Sequence, residues 1–225
     1  MIKKFVYCTL LSLYLLSATH SNAQTPPSSN EISQYSPFLM SVLKGDATKV
    51  QGYISQDIDL EQRDTAGRTA LHIAAFQSDE DMFSLLVQAG SNVNAFEDDQ
   101  YDVVTIAAVA NDIEMLELAL SSGGDAKNTT SPYAGTALIA AAHLGHVKVV
   151  EMLLNAGSNV DHVNNLGWTA LLEAIILGDG GSNYVEIVER LLSFGADKTR
   201  TDNQGVLPIT HARQRGYTEI IRLLE

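Results

Sequence analysis

The sequence predicts an all-α fold, a solenoid of about six helix-turn-helix units with extended finger loops. Three observations predict it. A core segment recurs with a period near 33 residues, the apolar residues inside each copy fall at helical spacing, and glycines close the copies at matching points. The clearest copies are Thr69-Ala70-Leu71-His72-Ile73-Ala74-Ala75, Thr136-Ala137-Leu138-Ile139-Ala140-Ala141-Ala142 and Thr169-Ala170-Leu171-Leu172-Glu173-Ala174. Weaker copies begin at Ser36, Asp102 and Leu207, which puts the unit starts near 36, 69, 102, 136, 169 and 207. The spacings are 33, 33, 34, 33 and 38 residues; an insertion at 178–183, between the two helical patterns of the fifth unit, accounts for the widest.

Within a unit each position has a physical reason. Thr69, Thr136 and Thr169 stand where the first helix starts, and a hydroxyl there accepts a hydrogen bond from an N–H that the helix leaves unpaired. Leu71, Leu138 and Leu171 open the buried stripe, and Ala pairs such as Ala74-Ala75 and Ala141-Ala142 let neighbouring helices approach closely. Gly145 stops a first helix because it takes a left-handed backbone without a Cβ penalty. Val149-Val150 and Leu153-Leu154 then supply the buried face of the second helix, and Gly90, Gly123, Gly157 and Gly195 end second helices. The stretches 91–98, 158–165 and 196–203 are polar turn-formers that lead to the next unit. One such helix pair cannot bury its own apolar face, so a core forms only when units stack.

Ahead of the units, residues 1–23 run from a basic start (Lys3, Lys4) through an apolar stretch to Ser21-Asn22-Ala23. That is the pattern of a secretory signal peptide, with cleavage expected after Ala23, and it is too short for a stable membrane span. Residues 24–35 read as a flexible linker and 36–225 as the repeat domain. The short, lysine-started signal has a bacterial style, so the expected destination is the periplasm, with release from the cell as the alternative. Cleavage removes Lys3, Lys4 and the single Cys, Cys8, from a chain with 14 Lys+Arg and 27 Asp+Glu, so the net charge moves from −13 to −15 and no thiol is left. An acid excess without clustered Lys and Arg argues against a nucleic-acid partner, whose affinity draws on cations that displace counterions from phosphate. The mature chain is expected to span no membrane and to be monomeric when free.

The combination of motifs resembles the ankyrin-repeat family over about 36–225. The residues that carry the resemblance are Gly67, Thr69-Ala70-Leu71-His72, Ala74-Ala75, Leu85-Leu86, Gly90 and Val93-Asn94. Thr136, Leu138, Ala141-Ala142, Gly145-His146, Val149-Val150 and Gly157 match again, as do Gly167-Trp168-Thr169-Ala170-Leu171, Leu191-Leu192 and Gly195-Ala196-Asp197. The third unit departs from the pattern, with Asp102-Val103 where Thr-Pro is usual and Gln100 where the turn Gly is usual. The fourth carries one extra residue near Ser131-Pro132, and the first and sixth diverge as end units do. The resemblance implies that finger tips and the exposed side of the first helices form a concave partner-binding surface. Mapped position by position, it selects Phe76, Asp98, Asp99, Tyr101, Tyr133, His143, Leu144, Trp168, Ile176 and Leu177, with Trp168, Tyr101 and Tyr133 as anchors.

Residues that could carry chemistry are few. No phosphate-binding loop, nucleophile elbow or H-E-x-x-H motif occurs. His143, His146 and His162 could be drawn as a metal site, yet His146 and His72 match structural positions of the family, and the 179–183 loop lacks the alternating carboxylates of a calcium loop. Asn128-Thr129-Thr130 fits a glycosylation acceptor, which matters only in a glycosylating pathway. The acidic run Glu97-Asp98-Asp99 with Asp102 reads as a solvated fingertip that steers a basic partner rather than as an acid catalyst. The expectation is therefore a non-enzymatic protein without cofactor or metal that binds, and inhibits, one basic protein in the periplasm, in the manner of an immunity protein. The alternatives are an accessory role in peroxide protection through a partner, a secreted effector that binds a host protein, and an enzyme with a site in the 178–183 insertion.

Overall fold

The computed structural model describes residues 26–225, so the signal peptide expected at 1–23 lies outside the described residues, as does Cys8. The described chain forms a short turn, α1 (Ser29–Ile32), followed by six helix pairs. The inner helices are α2 (Pro37–Leu43), α4 (Ala70–Phe76), α6 (Val103–Ala110), α8 (Ala137–Leu144), α10 (Ala170–Ile176) and α12 (Pro208–Arg215). Their outer partners are α3 (Ala47–Ile54), α5 (Glu80–Gln88), α7 (Ile113–Ser121), α9 (Val147–Asn155), α11 (Ser182–Ser193) and α13 (Thr218–Leu224). Each inner helix packs on its own outer helix and on the inner helices of the neighbouring units, which is the expected solenoid. One continuous apolar core results, in which Leu71, Leu138 and Leu171 hold the same place in successive layers.

The inner helices begin at the N-cap residues Ser36, Thr69, Asp102, Thr136, Thr169 and Leu207. Asp102 substitutes for Thr without loss, because its carboxylate accepts from the Thr105 N–H at 2.8 Å. In the second unit the imidazole of His72 takes part in the cap: its Nδ1 accepts from the Thr69 N–H at 3.2 Å, and its Nε2 reaches the Tyr101 carbonyl of the next unit at 3.3 Å. Burial lowers the His72 pKa to about 4, so the ring is neutral and links two units as a structural hydrogen-bonder.

Each finger closes on itself and then on its neighbour. The Asp64 carboxylate accepts from the N–H groups of Ala66 and Arg68, Asn164 from those of Leu166 and Trp168, and Asp202 from those of Gln204 and Val206. Successive tips are joined by Asp98 N–H to the Ala66 carbonyl (3.2 Å), Ser131 N–H to Gln100 (3.3 Å) and Asn165 N–H to Tyr133 (2.9 Å). Gly67 permits this stacking: it has φ +74°, and a Cβ there would stand 2.8 Å from the Asp98 nitrogen. In the irregular third finger Gln100 adopts the same left-handed backbone, with φ +66°.

Two expectations change. The stretch read as a linker, 24–35, is structured from Ser28 onward, because Ser28 and Glu31 form a capping box and Glu31 then pairs with Arg68 of the second unit. The Tyr35 hydroxyl adds a bond to Asp64 at 3.1 Å. In the insertion, Ser182 and Asn183 belong to the first turn of α11 rather than to a loop. Tyrosines tie this region to its surroundings, Tyr217 Oη donating to the Gly178 carbonyl at 2.8 Å and Tyr184 Oη to the His143 carbonyl at 2.9 Å.

Candidate partner-binding surface

The fingers and inner-helix ends of units three to five hold most of the residues selected from the sequence. Tyr133 at the fourth fingertip and Leu144 at the end of α8 are the most open, 46% and 42% exposed. Asp98 is exposed, while Phe76, Asp99, His143, Trp168 and Leu177 are half-buried. Tyr101 and Ile176, selected as exposed partner contacts, are instead buried, at 3% and 5%. Tyr101 immediately precedes an inner-helix N-cap; its N–H donates to Glu97 and its carbonyl accepts both the Glu97 N–H and His72 Nε2, so the residue is pinned at the finger base between units. Arg68 occupies the equivalent position and is also fully buried. Ile176 ends α10, an inner helix flanked on both sides by α8 and α12.

Two apolar residues on this face escaped the position-by-position mapping: Phe96 and Val163 occupy equivalent finger positions and are exposed. Leu166, which the mapping places at the fifth fingertip, is exposed as well. The available signal was an apolar residue interrupting a polar turn run in the same place in two units. Of the acidic run, Glu97 and Asp102 are buried and structural: Asp102 caps α6 and also accepts from Asn128 Nδ2 at 2.9 Å, which occupies the acceptor asparagine of the sequon. His146 Nδ1 bonds the Ala108 carbonyl at 3.0 Å, and His162 Nε2 the Ala134 carbonyl at 2.7 Å, so both rings bridge units. Among the described residues no group of three or more His, Cys, Asp or Glu is arranged to hold a metal ion.

Sequence reasoning passed over Glu173. The equivalent positions carry Ile73, Ile106 and Ala140 in the other interior units, whereas here a carboxyl lies in α10 at 4% exposure. Asn164 Nδ2 donates to its Oε1 at 2.8 Å, and its Oε2 has no hydrogen-bond partner, with His143 Nδ1 3.9 Å away. Burial raises the Glu173 pKa to about 7, against the opposing effect of the Asn164 bond, and burial also lowers that of His143. The finger residue matches its partner in each case, Asp64 with Arg68 at the finger base, and Asp202 with His211 and Asn164 with Glu173 on the inner helices. An aspartate at 164 would have set two carboxyls against each other.

A stack of helix pairs with a row of hydrogen-bonded fingers defines the class: a repeat scaffold for protein–protein interaction. The family model described as "Ankyrin repeats (3 copies)" matches residues 38–130 and 104–202, and the chain belongs to the ankyrin-repeat family. It is 33% identical over 188 residues to the ankyrin repeat protein YahD of Escherichia coli K12, covering 83% of this chain and 93% of that protein. A crystal structure of an ankyrin repeat domain from Acinetobacter baumannii AYE is similar with a TM-score of 0.80 and 44% identity, over 84% of this chain and 95% of that one. The ankyrin repeat protein EF0377 gives 0.78 and 31%, over 85% and 98%.

Proposed function

We propose that the finger face of units three to five binds a basic protein in the periplasm and, by covering it, inhibits it, the chain itself performing no catalysis. One observation carries this reading. That face carries exposed Tyr133, Leu144 and Leu166 together with the acidic Asp98 and Asp99, while the fingers and inner helices of those units (97–110, 130–144 and 164–177) contain neither Lys nor Arg. An apolar patch supplies the contact area, and an acidic surround speeds encounter with a cationic partner and disfavours others. The family supports an interaction module, and the basic start of residues 1–23 supports export.

The test is capture from periplasmic extract with tagged 24–225 beside a Tyr133→Ser/Leu144→Ser variant. A stoichiometric basic protein held by the parent, lost by the variant and inhibited on binding would establish the reading. Fractionation that leaves the protein in the cytoplasm, or a partner retained undiminished by the variant, would overturn it.

A further inference from the structure

Two buried polar atoms beneath this face lack a hydrogen-bond partner among the described residues. Among the described residues four buried side-chain atoms lack a hydrogen-bond partner, and two of them, Glu173 Oε2 and Trp168 Nε1, belong to residues joined by a single amide. Asn164 Oδ1 accepts from the Trp168 N–H at 3.0 Å while its Nδ2 donates to Glu173 Oε1 at 2.8 Å. Leaving such groups unpaired away from water is costly, and a folded chain retains them where something else completes them. One group is an acceptor that carries charge when ionised, and the other is a donor. A peptide offers a complement to each, a cationic side chain for the first and a carbonyl for the second.

We propose that the Glu173 carboxyl, held by Asn164 behind His143, is the receptor for a lysine or arginine side chain of the partner protein. This rests on the finger face being the binding surface. The neighbour on the open side is His143, whose side chain is 43% exposed and whose Nδ1 stands 3.9 Å from Oε2. Among the described residues no Lys or Arg is ion-paired with Glu173; its one such neighbour is His143, charged only when protonated. From α8 the facing titratable group is His143, kept neutral by burial; from the finger it is the uncharged Asn164; α12 brings His211, whose Nε2 is held by Asp202 at 2.8 Å; and α11 buries Ile187, Val188 and Leu191. In the free protein a buried carboxyl without a counter-charge favours its protonated form, and a partner's ammonium or guanidinium arriving at Oε2 favours the carboxylate. Binding there releases a proton, and affinity for the cation rises with pH until Glu173 is ionised in the free protein as well.

Triarginine peptide is the probe, with tricitrulline as its uncharged isostere, and the Glu173 carboxyl carbon is followed by NMR through a pH titration. In the parent protein triarginine is expected to lower the Glu173 midpoint by at least one pH unit and to change the emission of Trp168, the chain's single tryptophan, while tricitrulline does neither. A midpoint unmoved by triarginine overturns the proposal and needs no variant. Glu173→Gln, which keeps an acceptor for Asn164, is expected to bind triarginine at least tenfold more weakly with helicity unchanged; equal binding would place the attraction at Asp98 and Asp99 and also overturn it. Either negative result leaves the finger-face reading standing, because that reading is decided by partner capture with the Tyr133 and Leu144 variant.

Discussion

Arg68 Nε donates to Asp64 Oδ2 at 2.8 Å, and neither side chain is more than 1% exposed. The same guanidinium reaches Glu31 in the N-terminal turn, so one buried cation joins the first finger to the segment that precedes the repeats. Hydrogen bonds to Arg68 and Ala66 hold the Asp64 pKa below the ordinary carboxylate value.

Arg68→Ala leaves the Asp64 carboxyl buried without its counter-charge and should destabilise the protein by about 3–5 kcal/mol in chemical denaturation. Because the folded pKa of Asp64 is depressed, its contribution is complete above the unfolded value near 4 and is lost as pH falls through the lower folded value. The acid-side loss of stability should therefore be shallower in the variant than in the parent below about pH 4. An unchanged acid limb would show that other carboxyls dominate there.

Glu173 gives the opposite slope. Its folded pKa, near 7, exceeds the unfolded value, so the native state holds the extra proton and stability falls as pH rises from about 4 to 7. Glu173→Gln should remove this slope and gain on the order of 3 kcal/mol relative to the parent at pH 8. Urea titrations of both proteins at pH 5 and pH 8 measure it, and equal differences at the two pH values would contradict the assignment.

Tyr101→Ala and Leu144→Ser separate core from surface. The first empties a buried site and should cost about 3–5 kcal/mol. The second changes a 42% exposed side chain and should move stability by less than about 0.5 kcal/mol while weakening partner capture. A small effect of the first would mean that Tyr101 is open after all.

Gly67→Ala forces a Cβ into the space taken by the Asp98 backbone at a positive φ. The cost should exceed about 1 kcal/mol, and amide exchange should accelerate at Asp98, whose N–H bonds the Ala66 carbonyl. Protection at Asp98 equal to that of the parent would show that the fingers do not depend on this contact.

The architecture could be read from the chain because its determinants are local and repeated. Thr136 and Thr169 cap, Leu71, Leu138 and Leu171 pack, and Gly67 and Gly145 turn, each by the nature of the side chain at a fixed offset, whereas at Thr69 the expected hydroxyl cap is replaced by His72 Nδ1. Exposure on the binding face was less accessible, since it depends on contacts between units. Nothing in the residue types tells Tyr101, which is enclosed, from Tyr133, which is open; the difference goes with place, Tyr101 standing directly before the N-cap of α6 and Tyr133 three residues before that of α8. Glu173 was hidden for a related reason. A single glutamate in an apolar stretch reads as solvent-facing, and its burial becomes visible only when Asn164, nine residues earlier, is seen to hold it.

The sixth unit is held less firmly than those before it. Leu207 offers no side-chain cap, and α12 buries only Pro208 and Ala212, so few buried contacts oppose its local opening. Because α12 packs on α10, opening of the sixth unit would uncover one side of the fifth. The sixth repeat thus stands to the fifth as a clasp, and reinforcing it offers a way to steady the proposed binding face without altering any residue on it.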